Sequence, residues 1–316
     1  MLLPPPRHGV ETRVRTESSS SVRRPRRVGR LTRHDRIASA LIEWGSGSLR
    51  DLPWRRTNDP WRVLVSEVML QQTSVARVMP KYEAFLEAFP TPAALAQAPL
   101  GDALRLWSGL GYPRRCRNLQ ATAVVLHEQF NGRMPSSLDE LLALPGIGQY
   151  TARAVLAFAH RIDVAVVDVN VSRVLSRLEG VPMKARALQN LADELIPEGL
   201  AWEWNQVMMD FGAQQCTARA PKCTSCPVYA LCKWQGTGDD PAAMSAGASR
   251  TQMRFSGSDR QARGRAITSV LNGATTVREI TEAMQLSEDK DRAQRLLNDL
   301  VAEGLLVKLG ARFNLP

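Results

Sequence analysis

Cys216, Cys223, Cys226 and Cys232 fall within residues 216–232 with the spacing C-x6-C-x2-C-x5-C. Four thiolates this close in sequence form a clamp for a metal centre, and the spacing bears on which one. No histidine lies nearby, which excludes a Cys₂His₂ zinc site. The long x6 and x5 gaps can wrap a cube-shaped cluster, whereas a compact zinc knuckle usually pairs two C-x2-C hooks. A [4Fe–4S] cluster is favoured, and zinc is the competing reading. Disulfides fit poorly, because an enzyme-sized chain with no secretory signal does not need them to hold a core. The fifth cysteine, Cys116, reads as an ordinary buried thiol.

A second chemical feature is Leu144-Pro145-Gly146-Ile147-Gly148-Gln149-Tyr150-Thr151-Ala152, which sits between two helical patterns. Gly146 and Gly148 permit a tight turn and leave free amides at the start of the next helix. Amides so placed bind a phosphate without reading sequence. Taken alone, the same glycines also suit an ordinary helix–helix turn. Further on, Asp168 follows the apolar pair Val166-Val167 at a predicted helix start. There a carboxylate is either the N-cap or a catalytic group, and the spacing does not choose between them.

The chain has 41 Lys and Arg against 31 Asp and Glu, a formal net charge of +10 and a pI near 9.9. That excess implies an acidic partner, either nucleic acid or a membrane surface. No stretch approaches the roughly 18 uninterrupted apolar residues of a transmembrane helix, so nucleic acid is the better partner. The apolar fraction of 44% and the 316-residue length suit a globular protein of two or three domains. At the N-terminus, Arg23, Arg24, Arg26 and Arg27 alternate with prolines and serines, so residues 1–32 are expected to be a disordered basic tail.

From about Leu31 to Trp234 the pattern is helical almost throughout. Val65, Val68, Met69 and Gln72 recur at helical spacing, as do Ala152, Val155, Leu156 and Ala159. Strand-like alternation is scarce, and prolines punctuate the segments, which predicts an all-α fold. Residues 236–256 are rich in Gly, Ser and Pro and read as a linker. Over 257–316, two short helices and a longer one precede a hairpin around Gly310, a pattern that suggests a winged-helix-like module.

Hairpin, downstream Asp168 and the cysteine spacing, in that order, resemble the helix-hairpin-helix DNA glycosylases, the superfamily that includes endonuclease III. Asp51-Leu52-Pro53-Trp54-Arg55, Val65-Ser66-Glu67-Val68-Met69-Leu70-Gln71-Gln72-Thr73, Leu106-Trp107-Ser108-Gly109-Leu110-Gly111-Tyr112 and Asn118-Leu119 are similar to the adenine DNA glycosylases of MutY type. The match runs from about Leu52 to Cys232. It implies a six-helix domain with the hairpin over 53–160 and an iron–sulfur domain over 33–52 and 161–235. It also implies a monomeric bacterial enzyme in the cytoplasm at the nucleoid. The expected partner is double-stranded DNA carrying adenine opposite 8-oxoguanine or guanine.

The resemblance also implies roles. Glu67 is the general acid that protonates adenine N7, and Val65, Val68, Met69 and Leu70 can supply the apolar setting that keeps it protonated at neutral pH. Without the resemblance Glu67 would read as a solvated helix residue. Asp168 is the ionised partner that stabilises the oxocarbenium-like sugar, following the two-carboxylate logic of glycoside hydrolysis. Tyr150 stands where endonuclease III has its Schiff-base lysine, so a lyase step is not expected. Asn170 holds the water or the Asp168 carboxylate. Arg50, Trp54 and Arg55 lie on the segment that lines the adenine pocket. Leu70, Gln71, Gln72 and Thr73 belong to the substrate-side turn. Gln72 and Tyr112 match residues that wedge into the base stack during flipping. Gly146, Gly148 and Gln149 match the phosphate-binding hairpin. Arg219 and Lys222, inside the cysteine loop, match a DNA-backbone contact, and Arg114, Arg115 and Arg117 read as further phosphate contacts. The four cysteines hold a [4Fe–4S] cluster.

Three departures stand out. Most adenine glycosylases carry a C-terminal domain resembling nucleotide-pool hydrolases, which recognises 8-oxoguanine. Residues 233–316 are too few and too helical for it. Pro113 replaces the second residue of the usual Tyr-Tyr pair, and Val169 replaces the usual glycine between Asp168 and Asn170. Asp-x-Asn with a larger middle residue also occurs in thymine–guanine mismatch glycosylases, which makes them the alternative enzyme. An iron–sulfur DNA-binding regulator is the non-enzymatic one.

Overall fold

The computed structural model describes residues 31–248 and 254–316. The basic tail over 1–30 and positions 249–253 of the expected linker lie outside the described residues. Among the described residues there are fourteen helices: α1 (Arg33–Gly45), α2 (Pro60–Leu70), α3 (Val75–Ala88), α4 (Pro92–Gln97), α5 (Leu100–Trp107), α6 (Arg114–Gln129), α7 (Leu138–Ala143), α8 (Gln149–Phe158), α9 (Val169–Glu179), α10 (Ala185–Leu195), α11 (Ala201–Gln214), α12 (Asp259–Leu271), α13 (Val277–Met284) and α14 (Lys290–Ala302). A hairpin of β1 (Val307–Leu309) and β2 (Arg312–Asn314) pairs antiparallel, with Lys308 opposite Phe313. Over 53–160 this gives seven helices, one more than the resemblance implies, because Pro99 divides α4 from α5.

The helix starts follow local chemistry. Thr32 and Asp35 form a reciprocal capping box on α1, and Asp59 caps α2, with Pro60 filling the first position, where no amide partner is needed. Helix α9 begins at the Asp168 cap and ends at Gly180, whose φ of 67° gives a left-handed stop.

Two apolar cores organise the chain. The larger gathers α2–α8 around Phe85, Trp107, Leu119 and Val155. The smaller gathers α1, α9, α10 and α11 around Leu41, Leu175, Trp204 and Phe211, with Val228 from the cysteine loop. Full burial of a side chain of this size is worth roughly 1.5–3 kcal/mol. Helices α2 and α8 pack together, and α11 packs on both α8 and α9, so the two cores meet where Glu67 and Asp168 lie.

Two findings differ from the sequence expectation. Residues 240–246 of the expected linker are docked, because Pro241–Met244 form a 3₁₀ turn packed on α9. There Asp240 pairs with Arg177 at 2.6 Å, and the Ala246 amide donates to the Met183 carbonyl at 2.9 Å. The C-terminal helices and hairpin join the larger core through Ile280, Leu297, Leu306 and Phe313. Arg105 donates to the Leu271 carbonyl at 3.0 Å, and Leu315 packs so closely on Gly101 that a Cβ there would lie 3.1 Å from it.

Candidate active site

Glu67 sits in the last turns of α2 and is 6% exposed. Helix α2 is buried over Val63–Met69 and packs on α8, so the packing of the two helices buries the carboxyl. Burial pushes its carboxyl up to about 7. A hydrogen bond from Tyr150 opposes that rise, the negative charge of Asp168 adds to it, and Arg55 subtracts from it. Tyr150, in the first turn of α8, has its own phenol driven well up by burial and by the facing carboxylates.

Asp168 is both a cap and a member of this cluster. Its Oδ1 accepts from the amides of Asn170 at 2.8 Å and Val171 at 2.7 Å, and its Oδ2 accepts from the Asn170 side chain at 2.8 Å. Burial raises its pKa, while these three hydrogen bonds and Arg173 favour the charged form. The two carboxyls are thus unequal. Asp168 is held by three donors, whereas Glu67 has the single Tyr150 contact, so Asp168 is the better site for the negative charge.

Arg50 and Arg55 converge on one buried carboxylate, Asp210 of α11, which is fully buried. Arg50 donates through its backbone amide at 2.8 Å and its Nη2 at 2.5 Å. Arg55 donates through both Nη atoms, at 2.7 and 2.9 Å. Burial alone would raise Asp210, but the hydrogen bonds from Arg55 and Arg50 outweigh it and hold the carboxyl below its usual range. Arg55 is thereby fixed beside Glu67. Trp54 is buried, edge-on to Tyr82 at 5.5 Å.

Helix α2 stops at Leu70, so Gln72 lies in a turn although the helical spacing runs through it. Gln72 is exposed with φ 55°, and Tyr112 on the neighbouring loop has φ 49°, both left-handed. One guanidinium ties these loops together. Arg115 Nη1 donates to the carbonyls of Val68, Met69 and Gln71 at 2.7, 3.0 and 2.6 Å. Its Nη2 donates to Thr73 Oγ1 at 3.0 Å and to the Leu110 and Gly111 carbonyls at 3.1 and 2.9 Å. Burial lowers its pKa to about 10. Arg115 thus faces inward, Arg114 pairs with Glu303 at 2.7 Å, and Arg117 lies against Gly304, which differs from the expected row of phosphate contacts. Gln71 reaches Thr151 of α8 at 3.3 Å.

At the hairpin, Gly146 has φ 75°, and a Cβ there would lie 2.7 Å from the Asn118 amide, so glycine is required. Gly148 starts α8 with no side-chain cap, and Gly148 and Gln149 are exposed, which leaves the first amides of α8 available. Arg219 and Lys222 are exposed in the cysteine loop, and neither pairs with a carboxylate among the described residues.

Cys216, Cys223, Cys226 and Cys232 line one small cavity with Val174, Phe211 and Val228. Two N–H groups point at its sulfurs: Arg177 Nη1 on Cys216 at 3.4 Å and the Gln235 amide on Cys232 at 3.5 Å. Arg177 is buried and also lies over the Trp234 ring at 4.4 Å. One turn earlier, Arg173 donates to Asn170 Oδ1 at 2.8 Å and to the Cys216 carbonyl at 2.9 Å, so α9 touches both the carboxylate pair and the cysteine loop.

Asp210, Arg173 and Arg177 are the residues that sequence reasoning missed, whereas Arg115 was expected among the phosphate contacts and instead ties the loops together. Asp210 carried a signal, a lone acid on the otherwise apolar Val207–Phe211 run. The arginines carried none, because the reach of a long side chain is set by tertiary packing.

A family model described as HhH-GPD superfamily base excision DNA repair protein matches residues 65–198, which span Glu67, the hairpin and Asp168. An adenine DNA glycosylase of Mycolicibacterium smegmatis is 42% identical over 273 residues, 84% of this chain and 91% of that protein. Among solved structures, a thermostable thymine-DNA glycosylase superposes with a TM-score of 0.61 at 30% identity, over 65% of this chain and 97% of that one. Endonuclease III in a trapped covalent DNA complex superposes with a TM-score of 0.58 at 26% identity, over 66% of this chain and 98% of that one. Helical architecture and sequence agree with the thymine glycosylase and endonuclease III on fold and with the mycobacterial enzyme along nearly its whole length: the chain belongs to the adenine DNA glycosylases of the HhH-GPD superfamily.

Proposed function

We propose that the protein removes adenine mispaired with 8-oxoguanine or guanine in duplex DNA, by hydrolysis of the N-glycosidic bond and without strand cleavage. The observation that supports this reading best is the unequal pair of buried carboxyls, Glu67 pushed up to about 7 and Asp168 also raised by burial but opposed by three hydrogen bonds that favour its charged form. The adenine is rotated out of the stack so that N7 meets Glu67. Glu67 gives N7 its proton, the C1′–N9 bond breaks, and its electron pair passes to the base, which leaves neutral. Asp168 stabilises the positive sugar. Water adds to C1′, and its proton returns to Glu67, which restores the acid. Asn170 holds Asp168 in place, and Tyr150, having no amine, offers no route to an imine.

Gln72 and Tyr112 are the wedges, and the α8 amides behind Gly146, Gly148 and Gln149, with Arg219 and Lys222, take the backbone phosphates. The four cysteines around one cavity, their C-x6-C-x2-C-x5-C spacing and two N–H···S contacts suit a [4Fe–4S] cluster held by Cys216, Cys223, Cys226 and Cys232. When bound it supplies a cross-link that shapes the basic loop, and base excision needs no electron transfer. The protein acts as a monomer in the bacterial cytoplasm. Among the described residues, no helix is long and apolar enough to cross a membrane.

Base release in single turnover from three labelled duplexes tests the reading: adenine opposite 8-oxoguanine, adenine opposite guanine, and thymine opposite guanine. Fast release from the first is expected. The likeness to a thymine-DNA glycosylase favours thymine as the second reading, and release of thymine alone would replace the first by it.

A further inference from the structure

A groove of about 1160 Å³ lies between the Gln72 and Tyr112 loops and helix α12 of the C-terminal module. It exceeds the roughly 300–1,000 Å³ of a small-molecule pocket and is open to solvent rather than enclosed. Its charged lining is Arg77, Arg114, Arg260, Arg263 and Arg265 against one acid, Glu303. Glu303 is taken by Arg114 at 2.7 Å and Arg263 at 2.5 Å. Arg265 binds the neutral Gln285 amide oxygen at 2.5 Å, and neither Arg77 nor Arg265 has a carboxylate within ion-pair reach among the described residues. The groove therefore keeps a positive surplus that an anionic chain would neutralise.

The groove is joined to the wedge. Arg260 donates to the Tyr112 hydroxyl at 2.6 Å, and its guanidinium lies 5.5 Å from the Tyr112 ring and 5.1 Å from that of Phe255. Phe255 is 55% exposed at this edge, a π-face on which a base can stack. Glu67, Tyr150, Asp168 and the hairpin are absent from the lining. A wedge separates the extruded base from its former partner, so a nucleic-acid surface that includes the wedge but not the carboxyl pair belongs to the partner. We infer that this groove, with Arg77 on α3 and Arg265 and the Tyr112–Arg260–Phe255 stack around α12, binds the DNA strand opposite the extruded adenine. The C-terminal module thereby completes the DNA grip in this short chain. The inference rests on the adenine-excision reading for the identity of the wedge.

The test uses the full cluster-loaded protein with Glu67→Gln, bound to a duplex with adenine opposite 8-oxoguanine and either strand end-labelled for hydroxyl-radical footprinting. With Arg77→Ala and Arg265→Ala added, protection should be lost on the 8-oxoguanine strand and kept on the adenine strand. The slope of log affinity against log salt should shrink by about two, one unit for each lost phosphate contact. Arg278→Glu, on the same module but outside the groove lining, should change neither. An unchanged footprint and slope, or loss confined to the adenine strand, overturns the inference. Should the double variant bind too weakly, Arg265→Ala alone gives the same reading with a slope change of about one. Adenine release by the unaltered protein is scored separately. Release without strand-specific loss sinks the groove assignment only, and strand-specific loss without release sinks the catalytic reading only.

Discussion

The pH dependence of base release is the most direct consequence of the Glu67 environment. An ordinary glutamate, at 4.5, is protonated in about one molecule in 300 at pH 7, whereas Glu67, at about 7, is protonated in about half. Burial therefore raises the population of competent acid about 150-fold, equivalent to about 3 kcal/mol. Under subsaturating conditions kcat/KM reports the free enzyme, so base release should fall tenfold for each pH unit above 7 as Glu67 loses its proton. Tyr150→Phe gives the sign test. The phenol hydrogen-bonds Glu67 in its charged form, so its removal should move the falling limb to higher pH while lowering the maximum. The assay is release of labelled adenine across pH 5.5–9. A wild-type limb near 4.5 would refute the burial argument, and a limb that moves to lower pH in Tyr150→Phe would refute the hydrogen-bond assignment.

Three further outcomes follow from the same geometry. Glu67→Gln should abolish release while retaining duplex binding. Because the folded pKa of Glu67 lies above the unfolded value, the stability carried by its protonated form is full below pH 4.5 and lost as pH rises through about 7. The glutamine variant does not suffer that loss, so it should melt several degrees above wild type at pH 8, with the gap narrowing at pH 5.5. Equal melting at both values contradicts the burial cost. Asp210→Asn leaves two inward-facing guanidinium groups without their carboxylate and should cost about 3–5 kcal/mol in denaturant unfolding; an unchanged midpoint would show that Arg50 and Arg55 find other partners. Cys226→Ser should lose the brown colour and iron and yield poorly folded protein, and full iron content in it would remove Cys226 from the ligand set.

What the sequence made legible was whatever short-range pattern records. The helical repeat of Ala152, Val155 and Leu156 marks the buried face of α8, and the cysteine spacing marks a shared cavity. Asp168 shows the limit of local reasoning: cap and functional group were competing readings, yet the cap hydrogen bonds themselves favour the charged form of the carboxyl that burial beside Glu67 raises. The helical spacing of Val65, Val68 and Gln72 overran the true end of α2, where the chain turns left-handed at Gln72 and Arg115, distant in sequence, holds the Gln71 carbonyl. Composition suggested a loose 236–256 linker, whereas Asp240 and Ala246 are held by partners on α9 and at Met183. Ion pairs between remote segments leave no periodic trace.

Arg115 has a consequence for how this scaffold can be altered. Its six acceptors belong to the Glu67 helix end, the Gln72 turn and the Tyr112 loop. Those segments are separate stretches of chain but a single mechanical part, since neither loop can shift without dragging a shared guanidinium that has nowhere else to put its protons. Transplanting the Gln72 turn or the Tyr112 loop alone from a relative breaks the register between acid and wedge, even where each borrowed loop is sound in its own parent. Specificity in this scaffold has to be redesigned as a matched pair of loops around an unaltered Arg115.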